Sequence, residues 1–487
     1  MMTRKQCPFV SALVPAVMLF ALCTAPAEAA LTEAAPAQAG AGSRPNFVFI
    51  LIDDLRHDAM SNAGHPFVRT PNIDRIAAGG VRFTNAFVTT SLCGPSRASF
   101  LTGMYVHSHG VLTNEEQELD PKWPTFPRVL HENGYETAFV GKWHMGPTAQ
   151  PRPGFDYWLS FRGQGVYVNP ALNENGRDFT ATGYMTDLLT QYAVDWLRKP
   201  RTKPFCLYLS HKAVHAEFTP AERHKDLYSD VTVPEPASYR DNLAGRPGWQ
   251  RMVRIRGGQF KKPAPARLPD ALPPAGPWST RPANHVKMMD YMRALAAVDE
   301  SVGRVLDLLK EAGQLGNTIV IFAGDNGFFH GEHHGMGDKR WAYEESIRIP
   351  LLVAGPGVPR GKLLDPMVLN VDVAPTILDL AGLAAPASVQ GRSLKPLLAG
   401  GDVPGRESFL YEYYLEEWLP GVPTMVGVRT RDWKYVRYPE IKDLDELYDL
   451  KADPIEVRNL AEDPAAKPQL DKMKAELDRL CRETGRK

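Results

Sequence analysis

The stretch NFVFILIDD, residues 46–54, is a continuous apolar run that ends in two aspartates. A run of this kind is typical of a central parallel strand that helices cover on both faces. Three further runs have the same form, namely TAFVGKWH (137–144), FCLYLSHKAVH (205–215) and TIVIFAGDNG (318–327). Ligands of open α/β sheets bind beyond the carboxyl ends of the strands. The four runs therefore predict a buried sheet that brings polar side chains together at one edge.

Helical patterns separate these strands. The clearest covers residues 284–312, where apolar residues recur near helical spacing and Gly313 follows. Alternating strands and helices predict an α/β fold with a large, doubly wound, mostly parallel sheet. Further on, TMVGVRTRDWKYVRYP (424–439) alternates like a strand, and a polar helical pattern covers 463–482. We interpret this last part as a smaller C-terminal antiparallel sheet with a terminal helix.

The amino terminus has the pattern of an export signal. Basic residues 4–5 precede an apolar run over 9–22 that is too short to span a bilayer, and AEA (27–29) has the form of a cleavage site. Cys23 leaves a lipoprotein anchor open, although the leucine before it is bulkier than such sites usually tolerate. We predict export to the periplasm or the medium, no membrane span in the mature chain, and two leading segments: signal peptide 1–29 and disordered spacer 30–43.

Composition limits the classes of partner. The 56 basic and 56 acidic residues cancel, so the chain as a whole has no bias toward polyanions, and nucleic-acid binding is not expected. We predict a catalytic domain over 44–407 and a C-terminal subdomain over 408–487. The Pro- and Gly-rich stretch 234–285 is predicted to be a long surface loop with a basic centre. It either steers a polyanionic glycan toward the site or is a solvated insertion.

Three cysteines remain after the predicted cleavage, namely Cys93, Cys206 and Cys481, and this odd number excludes a disulfide-stapled fold. Cys93 lies in SLCGPSRASFLTG (91–103), where the small turn-forming residues predict an exposed turn before a helix. A buried, inert thiol is the alternative. Arg97 follows about one helical turn later on the same face, and a helix N-terminus favours anions such as sulfate or phosphate.

Two polar pairs at strand ends suggest a metal site. Asp53 and Asp54 end one apolar run, and Asp325 and Asn326 end another. Oxygen ligands of this kind suit Ca²⁺ or Mg²⁺ rather than zinc. Either pair alone is more typical of a capped turn, but the two pairs at corresponding strand ends favour a metal. The segment HGEHH (330–334) lacks the i, i+4 spacing of a helical zinc motif, so zinc is not expected there.

Five motifs in the chain resemble those of one enzyme family. CGPSR (93–97) matches the C-x-P-S-R signature of the type I, formylglycine-dependent sulfatases of the alkaline phosphatase superfamily. The surroundings agree in order along the chain: PNFVFILIDDLR (45–56), GKWHMG (141–146), DNG followed by DKR (325–340), and ELYDLKADPIEVRNLA (446–461). The resemblance covers roughly residues 44 to 480 and implies a sulfuric ester hydrolase.

The resemblance implies a nucleophile and a cofactor. Cys93 would be oxidised by a formylglycine-generating enzyme to Cα-formylglycine, whose hydrate is the nucleophile, and Arg97 would stabilise that hydrate. One Ca²⁺ per chain would be held by Asp53, Asp54, Asp325, Asn326 and the modified Cys93. Fixed cations are a main means of stabilising the charge that develops on a sulfuryl group.

The same resemblance implies the remaining catalytic groups. Lys142 and Lys339 would bind the sulfate. His215 would protonate the leaving sugar oxygen, and His144 would take a proton from the second hydroxyl of the hydrate and so release sulfate. Histidine suits both tasks because its pKa lies near the working pH. His211 competes with His215, but its position nearer the strand favours a structural hydrogen bond.

Within the family the chain is most similar to N-acetylglucosamine-6-sulfatases, on the strength of segments 152–176 and 325–353. The implied substrate is a sulfated carbohydrate, with 6-O-sulfated N-acetylglucosamine or a related glycosaminoglycan or mucin sugar as the first expectation. Two alternatives stay open. One is a phosphoester or phosphonate monoester hydrolase of the same fold, and the other is a non-catalytic protein that binds sulfated glycans.

Overall fold

A computed structural model of the chain describes residues 44–115, 117–250, 281–401 and 403–487. The predicted signal peptide, the predicted spacer and residues 251–280 of the basic stretch lie outside these ranges. Side chains are described from residue 287 onward in the helix that follows the gap.

The strands in these ranges are β1 (Asn46–Ile52), β2 (Gly80–Phe83), β3 (Ala86–Phe87), β4 (Glu136–Lys142), β5 (Tyr157–Phe161), β6 (Ala171–Glu174), β7 (Arg177–Thr180), β8 (Phe205–His211), β9 (Thr318–Gly324), β10 (Phe329–His330), β11 (Gly337–Asp338), β12 (Leu351–Ala354), β13 (Lys362–Leu364), β14 (Val368–Leu369), β15 (Ser408–Tyr413), β16 (Met425–Thr430), β17 (Trp433–Arg437) and β18 (Glu446–Asp449).

The α-helices are α1 (Pro71–Gly79), α2 (Cys93–Thr102), α3 (Val106–His109), α4 (Phe126–Glu132), α5 (Met185–Leu197), α6 (Arg281–Glu311), α7 (Glu332–Gly335), α8 (Glu344–Ile347), α9 (Val373–Leu380), α10 (Lys395–Leu398) and α11 (Lys467–Thr484). None of these described helices has both the length and the apolar character that crossing a membrane requires.

Ten strands form one mixed sheet in the order β13-β2-β12-β9-β1-β8-β4-β5-β6-β7. Its centre, from β9 to β5, is parallel, and antiparallel pairs occur toward both edges. In the register, Ile52 lies opposite Gly324 on one side and His211 on the other. The predicted large, mostly parallel sheet is confirmed, and three neighbouring strands end beside the two aspartates that follow β1.

The core lies on both faces of this sheet. Alternate residues of β1 enter different apolar clusters, because successive side chains of a strand point to opposite faces. Phe47, Phe49 and Leu51 pack with α2 and α4, whereas the intervening residues pack with α5 and α6. Burial on both faces explains why the run in 46–52 is apolar at every position but the first.

The C-terminal part forms a second sheet. Its four strands pair antiparallel in the order β15-β16-β17-β18, as the strand-like alternation predicted. The terminal helix α11 packs against this sheet through Leu470, Met473 and Leu477, which lie in one apolar cluster with residues of β16 and β17. Tyr411 of β15 and Val436 of β17 belong instead to the apolar cluster under the large sheet. The small sheet therefore shares a core with the large one.

The structure differs from the sequence-based expectation in the 234–250 segment, and it shows the state of the cysteines. Part of 234–250 is not a surface loop, because Arg246 is fully buried and its guanidinium donates to the hydroxyl of Tyr448 at 2.9 Å and to Asp241 at 2.8 Å. Tyrosine side chains at the small sheet bury Arg246, and the composition of 234–250 does not reveal this contact. The three described cysteines are buried and unpaired.

Replacing Phe49 by alanine tests the packing on β1. The ring contacts those of Phe100, Phe126 and Tyr208 at centroid distances of 5.6, 6.1 and 4.7 Å. We expect Phe49→Ala to lower the free energy of unfolding by about 3–5 kcal/mol, measured by urea denaturation. Leu363→Ala, on a side chain that is 63% exposed, is the matched control and should change it by less than about 0.5 kcal/mol. Equal losses in the two variants would contradict the assignment of this core.

Candidate active site

The carboxylates of Asp53, Asp54 and Asp325 meet at the carboxyl edge of β1 and β9. All three are fully buried, and they offer oxygens that lie within 4.8 Å of one another. The backbone amide of Asp54 donates to Oδ1 of Asp325 at 2.9 Å, which fixes the two strand ends together. Buried carboxylates at this separation repel one another unless cations balance them. The site therefore depends on positive charge.

Arg97 provides part of that charge from α2. Its Nε donates to Oδ2 of Asp325 at 2.9 Å, and its Nη2 lies 3.6 Å from Oδ2 of Asp53. The remaining nitrogen, Nη1, donates to the carbonyl of Lys142 at 2.8 Å and to Oγ of Ser210 at 2.6 Å. The guanidinium is thus held by the ends of four strands, β1, β4, β8 and β9, and it fixes the start of α2 against the sheet.

Two lysines provide the rest of the positive charge that balances the carboxylates. Nζ of Lys142 donates to Asp53 and to Oε1 of Gln164, the second at 2.5 Å, and Nζ of Lys339 donates to Asp54. Burial alone raises the pKa of Asp53, but Lys142 and the other nearby cations outweigh this effect and hold the pKa well below its usual range. Asp53 is therefore ionised.

The other two carboxyls are less well balanced. Burial, with the charge of Asp53 close by, raises the pKa of Asp325 to about 7 and raises that of Asp54 as well. Within the described residues, Oδ2 of Asp54 and Oδ1 of Asn326 are buried without a hydrogen-bond partner. Nδ2 of Asn326 donates to Asp54 at 2.6 Å and to the carbonyl of Gly327 at 2.8 Å, which fixes the orientation of the amide. Unpartnered oxygens of this kind are those that a hard divalent cation binds.

Cys93 is the first residue of α2, and its Sγ lies 3.4 Å from Oδ1 of Asp53. The prediction of an exposed thiol is wrong, because Cys93 is fully buried. The amide of Gly94 donates to Oδ1 of Asn114 at 2.9 Å, and a Cβ at Gly94 would lie 3.0 Å from that oxygen and from the carbonyl of His144. Burial and Asp53 raise the pKa of the Cys93 thiol to about 12, so a plain cysteine here stays protonated and is a weak nucleophile.

His215 lies beside Cys93 and the carboxylates, because one of its ring nitrogens, Sγ of Cys93 and an oxygen of Asp53 lie within 4.8 Å of one another. Its Nε2 is 3.8 Å from Oδ2 of Asp54, and its Nδ1 is 2.6 Å from the carbonyl of Ala216. Because a carbonyl only accepts, Nδ1 carries the proton and Nε2 faces the site as a proton acceptor. Burial and the charge of Lys142 lower the pKa of His215 well below its usual value, which favours this neutral form. The hydroxyl of Tyr167 donates to the carbonyl of His215 at 2.7 Å and fixes the loop.

His144 follows β4 in a left-handed backbone conformation, with φ of 57°, which few non-glycine residues adopt. Its carbonyl approaches Gly94, so the residue lies next to the start of α2. Its Nδ1 is buried and has no hydrogen-bond partner among the described residues. Burial and Lys142 lower the pKa of this imidazole too, so it is neutral and able to accept a proton.

The remaining histidines named in the sequence have structural contacts. Nε2 of His211 is 3.0 Å from Oγ of Ser301. In the 330–334 segment, Nε2 of His333 lies 3.3 Å from the carboxylate of Glu345. Nδ1 of His334 lies 2.8 Å from the backbone carbonyl of Asp241. Among the residues that the structure describes, these side chains do not form a metal-binding group.

Sequence reasoning missed several residues around the site. Four of them orient parts of the site through hydrogen bonds: Gln164 to Lys142, Ser210 to Arg97, Tyr167 to the loop of His215, and Asn114 to the start of α2. Lys212 is 1% exposed, lies 4.7 Å from the centre of the Tyr167 ring, and has its pKa lowered to about 8 by burial and Lys142. The family signature contains none of these five, and their contacts join segments that are far apart in the chain, so only the fold shows them.

Sheet topology and site together define an α/β protein with a buried, charged site at the carboxyl edge of its large sheet. A family model described as Sulfatase matches residues 45–383, and one described as N-sulphoglucosamine sulphohydrolase, C-terminal, matches residues 331–483. The first match covers well over half of the chain. The chain therefore belongs to the sulfatase family, and it is a sulfuric ester hydrolase.

Individual relatives agree. The chain is 35% identical to an N-acetylglucosamine-6-O-sulfatase of Bacteroides thetaiotaomicron, over 91% of this chain and 86% of that protein. It is 30% identical to the human N-acetylglucosamine-6-sulfatase, over 86% and 81% of the two chains. A solved structure of a protein in complex with its substrate D-glucosamine-2-N,6-O-disulfate superimposes with a TM-score of 0.81 at 33% identity, over 91% of this chain and 98% of that one.

Arg97 allows a test of the charge balance. Arg97→Met leaves Asp53 and Asp325 without their guanidinium, and breaking a buried ion pair in this way costs about 3–5 kcal/mol. Arg97→Lys keeps a cation but loses the contacts with Ser210 and the Lys142 carbonyl, so we expect a smaller loss. Urea denaturation of both variants without added metal measures the difference. Equal stability of the two variants would show that the charge of Arg97 does not hold the site together.

Proposed function

We propose that this sulfatase removes the 6-sulfate from N-acetylglucosamine residues of sulfated glycans, with calcium and a formylglycine at position 93. The observation that carries the proposal is the position of Cys93, whose Sγ lies 3.4 Å from a fully ionised, buried carboxylate within a group of three basic side chains. The choice of sugar is supported by the relatives named as N-acetylglucosamine-6-sulfatases and by the glucosamine disulfate bound in the similar solved structure.

Calcium fits the free oxygens of the site. Asp53, Asp54, Asp325 and Asn326 would hold the ion, with the modified residue 93 as a further ligand. Three carboxylates and three basic groups cancel in formal charge, so a divalent cation would leave the site positive. A positive, dry site favours an anionic sulfate ester and the charge that develops on its oxygens.

Modification of Cys93 explains a thiol that is buried and protonated. As a formylglycine hydrate, residue 93 would present an oxygen nucleophile in place of sulfur. In the folded protein the side chain is fully buried, so a formylglycine-generating enzyme has no access to it. The modification would therefore precede folding, during synthesis or export. Export itself, the 1–29 and 30–43 segments and the division at residue 408 stay predictions from the sequence.

The two neutral histidines suit the proton transfers. Nε2 of His215, which faces the carboxylates, would take the proton that the attacking hydroxyl of the residue 93 hydrate loses, and would give it to the leaving sugar oxygen. His144, beside the start of α2, would accept the proton that must leave residue 93 when sulfate is expelled. Lys142 and Lys339 would bind sulfate oxygens, and Tyr167 would keep the His215 loop in place.

Calcium binding can be measured without an activity assay. Ca²⁺ at 100 times its dissociation constant should stabilise the protein by about 2.7 kcal/mol, seen as a higher Tm than with a chelator. Asn326→Ala removes one of the unpartnered oxygens and should reduce this gain. Asp307→Asn, on an exposed carboxylate paired with Arg75, is the control and should keep the gain. An unchanged gain in Asn326→Ala would exclude Asn326 as a ligand.

Activity tests the nucleophile and the substrate together. Cys93→Ala should lower sulfate release from N-acetylglucosamine 6-sulfate by about 10⁴-fold or more, as loss of a nucleophile does. Ion chromatography of released sulfate on that sugar and on a 6-sulfated galactose measures the preference. Unchanged sulfate release in Cys93→Ala would contradict the role of residue 93, and preference for galactose would contradict the proposed sugar. Faster release of phosphate from an aryl phosphate would favour the phosphoester hydrolase.

A further inference from the structure

Trp418 is the most exposed aromatic side chain among the large hydrophobic residues of the described ranges. It lies in the connection between β15 and β16, and 59% of it is exposed. An exposed tryptophan costs solvation free energy and often marks a binding surface when its ring is held in place. The contacts of Trp418 show that it is held in place.

A buried carboxylate fixes the indole. Glu416 is fully buried, and its Oε1 accepts from Nε1 of Trp418 at 3.2 Å. Its Oε2 accepts from Nε of Arg340 at 2.5 Å and from the hydroxyl of Tyr413 at 3.1 Å. The Arg340 guanidinium in turn lies 5.0 Å from the centre of the indole ring. Because Arg340 lies over the indole ring and Glu416 accepts from the indole N–H, Trp418 is held in one orientation.

Two chain segments connect Trp418 to the sulfate site. Arg340 directly follows Lys339, whose ammonium contacts Asp54. On the other side, the amide of Trp418 donates to Oε1 of Glu115 at 3.3 Å.

Glu115 itself follows a residue of the site wall. Its neighbour Asn114 accepts from the amide of Gly94, next to Cys93. Adjacent Cα atoms are about 3.8 Å apart, so both connections place Trp418 at the rim of the site rather than on a remote surface.

We propose that Trp418 stacks on the pyranose ring that is glycosidically linked to the sulfated sugar, so that the site binds a glycan chain rather than a free monosaccharide. This inference rests on the proposed function. The C–H face of a pyranose is apolar, and a fixed indole offers a large, rigid surface at little entropic cost. The carboxylate of Asp338, which is 45% exposed and pairs with Arg340, is available to the surrounding hydroxyls.

The test compares one sugar with two. Sulfate release is measured on free N-acetylglucosamine 6-sulfate and on a disaccharide that carries this residue at its non-reducing end. The wild type should have the higher kcat/KM on the disaccharide. Trp418→Ala should lower the ratio of the two kcat/KM values by about tenfold, mainly through KM, as loss of an aromatic anchor does. Trp418→Phe should restore most of it.

Controls separate the possible failures. Leu363→Ala removes an equally exposed side chain on β13 and should leave both kcat/KM values and their ratio unchanged. Size-exclusion chromatography with light scattering is run on each variant. An unchanged ratio in Trp418→Ala, or equal kcat/KM of the wild type on the two substrates, overturns the stacking role while leaving the proposed function intact. A shift in oligomeric state would assign Trp418 to an interface between copies instead. Absence of wild-type activity on both substrates would contradict the proposed function itself.

Discussion

The constraint on which this structure depends is the burial of three carboxylates at one edge of a sheet. Asp53, Asp54 and Asp325 are fully buried and within a few ångströms of one another. Their repulsion is offset by cations that reach them from separate elements: Arg97 from α2, Lys142 from β4, and Lys339 from the loop after β11. Each cation also fixes its own element against the sheet. The charge that would serve the chemistry therefore also holds the catalytic elements together.

That arrangement decides the state of Cys93. A thiol beside an ionised aspartate in a closed site loses its proton with difficulty, and burial adds to the effect. The same environment would suit an oxygen nucleophile between a divalent cation and two neutral histidines. Gly94 permits the close approach of Asn114 and of the His144 carbonyl next to Cys93. Because Cys93 is fully buried, the proposed modification would have to precede folding.

Much of this architecture could be predicted from the sequence because parallel strands share an edge. The runs that end in Asp53 and Asp325 predicted both the buried central strands and the edge of the sheet at which the polar residues lie. What the sequence could not show were contacts between distant segments. Asn114 accepts from the amide next to Cys93, Tyr448 accepts from the buried Arg246, and Glu416 and Glu115 hold Trp418 in place. Local composition at Cys93 and Arg246 indicated exposure, and the tertiary fold reversed it.

The most direct test of the account is the mass of the peptide that contains residue 93, measured in preparations of different specific activity. Coexpression with and without a formylglycine-generating enzyme provides such preparations. The account predicts that a fraction of this peptide is about 18 Da lighter than the cysteine form, as expected when a thiol becomes an aldehyde, and that sulfate release rises in proportion to that fraction. Full activity in a preparation that contains only unmodified Cys93 would contradict it.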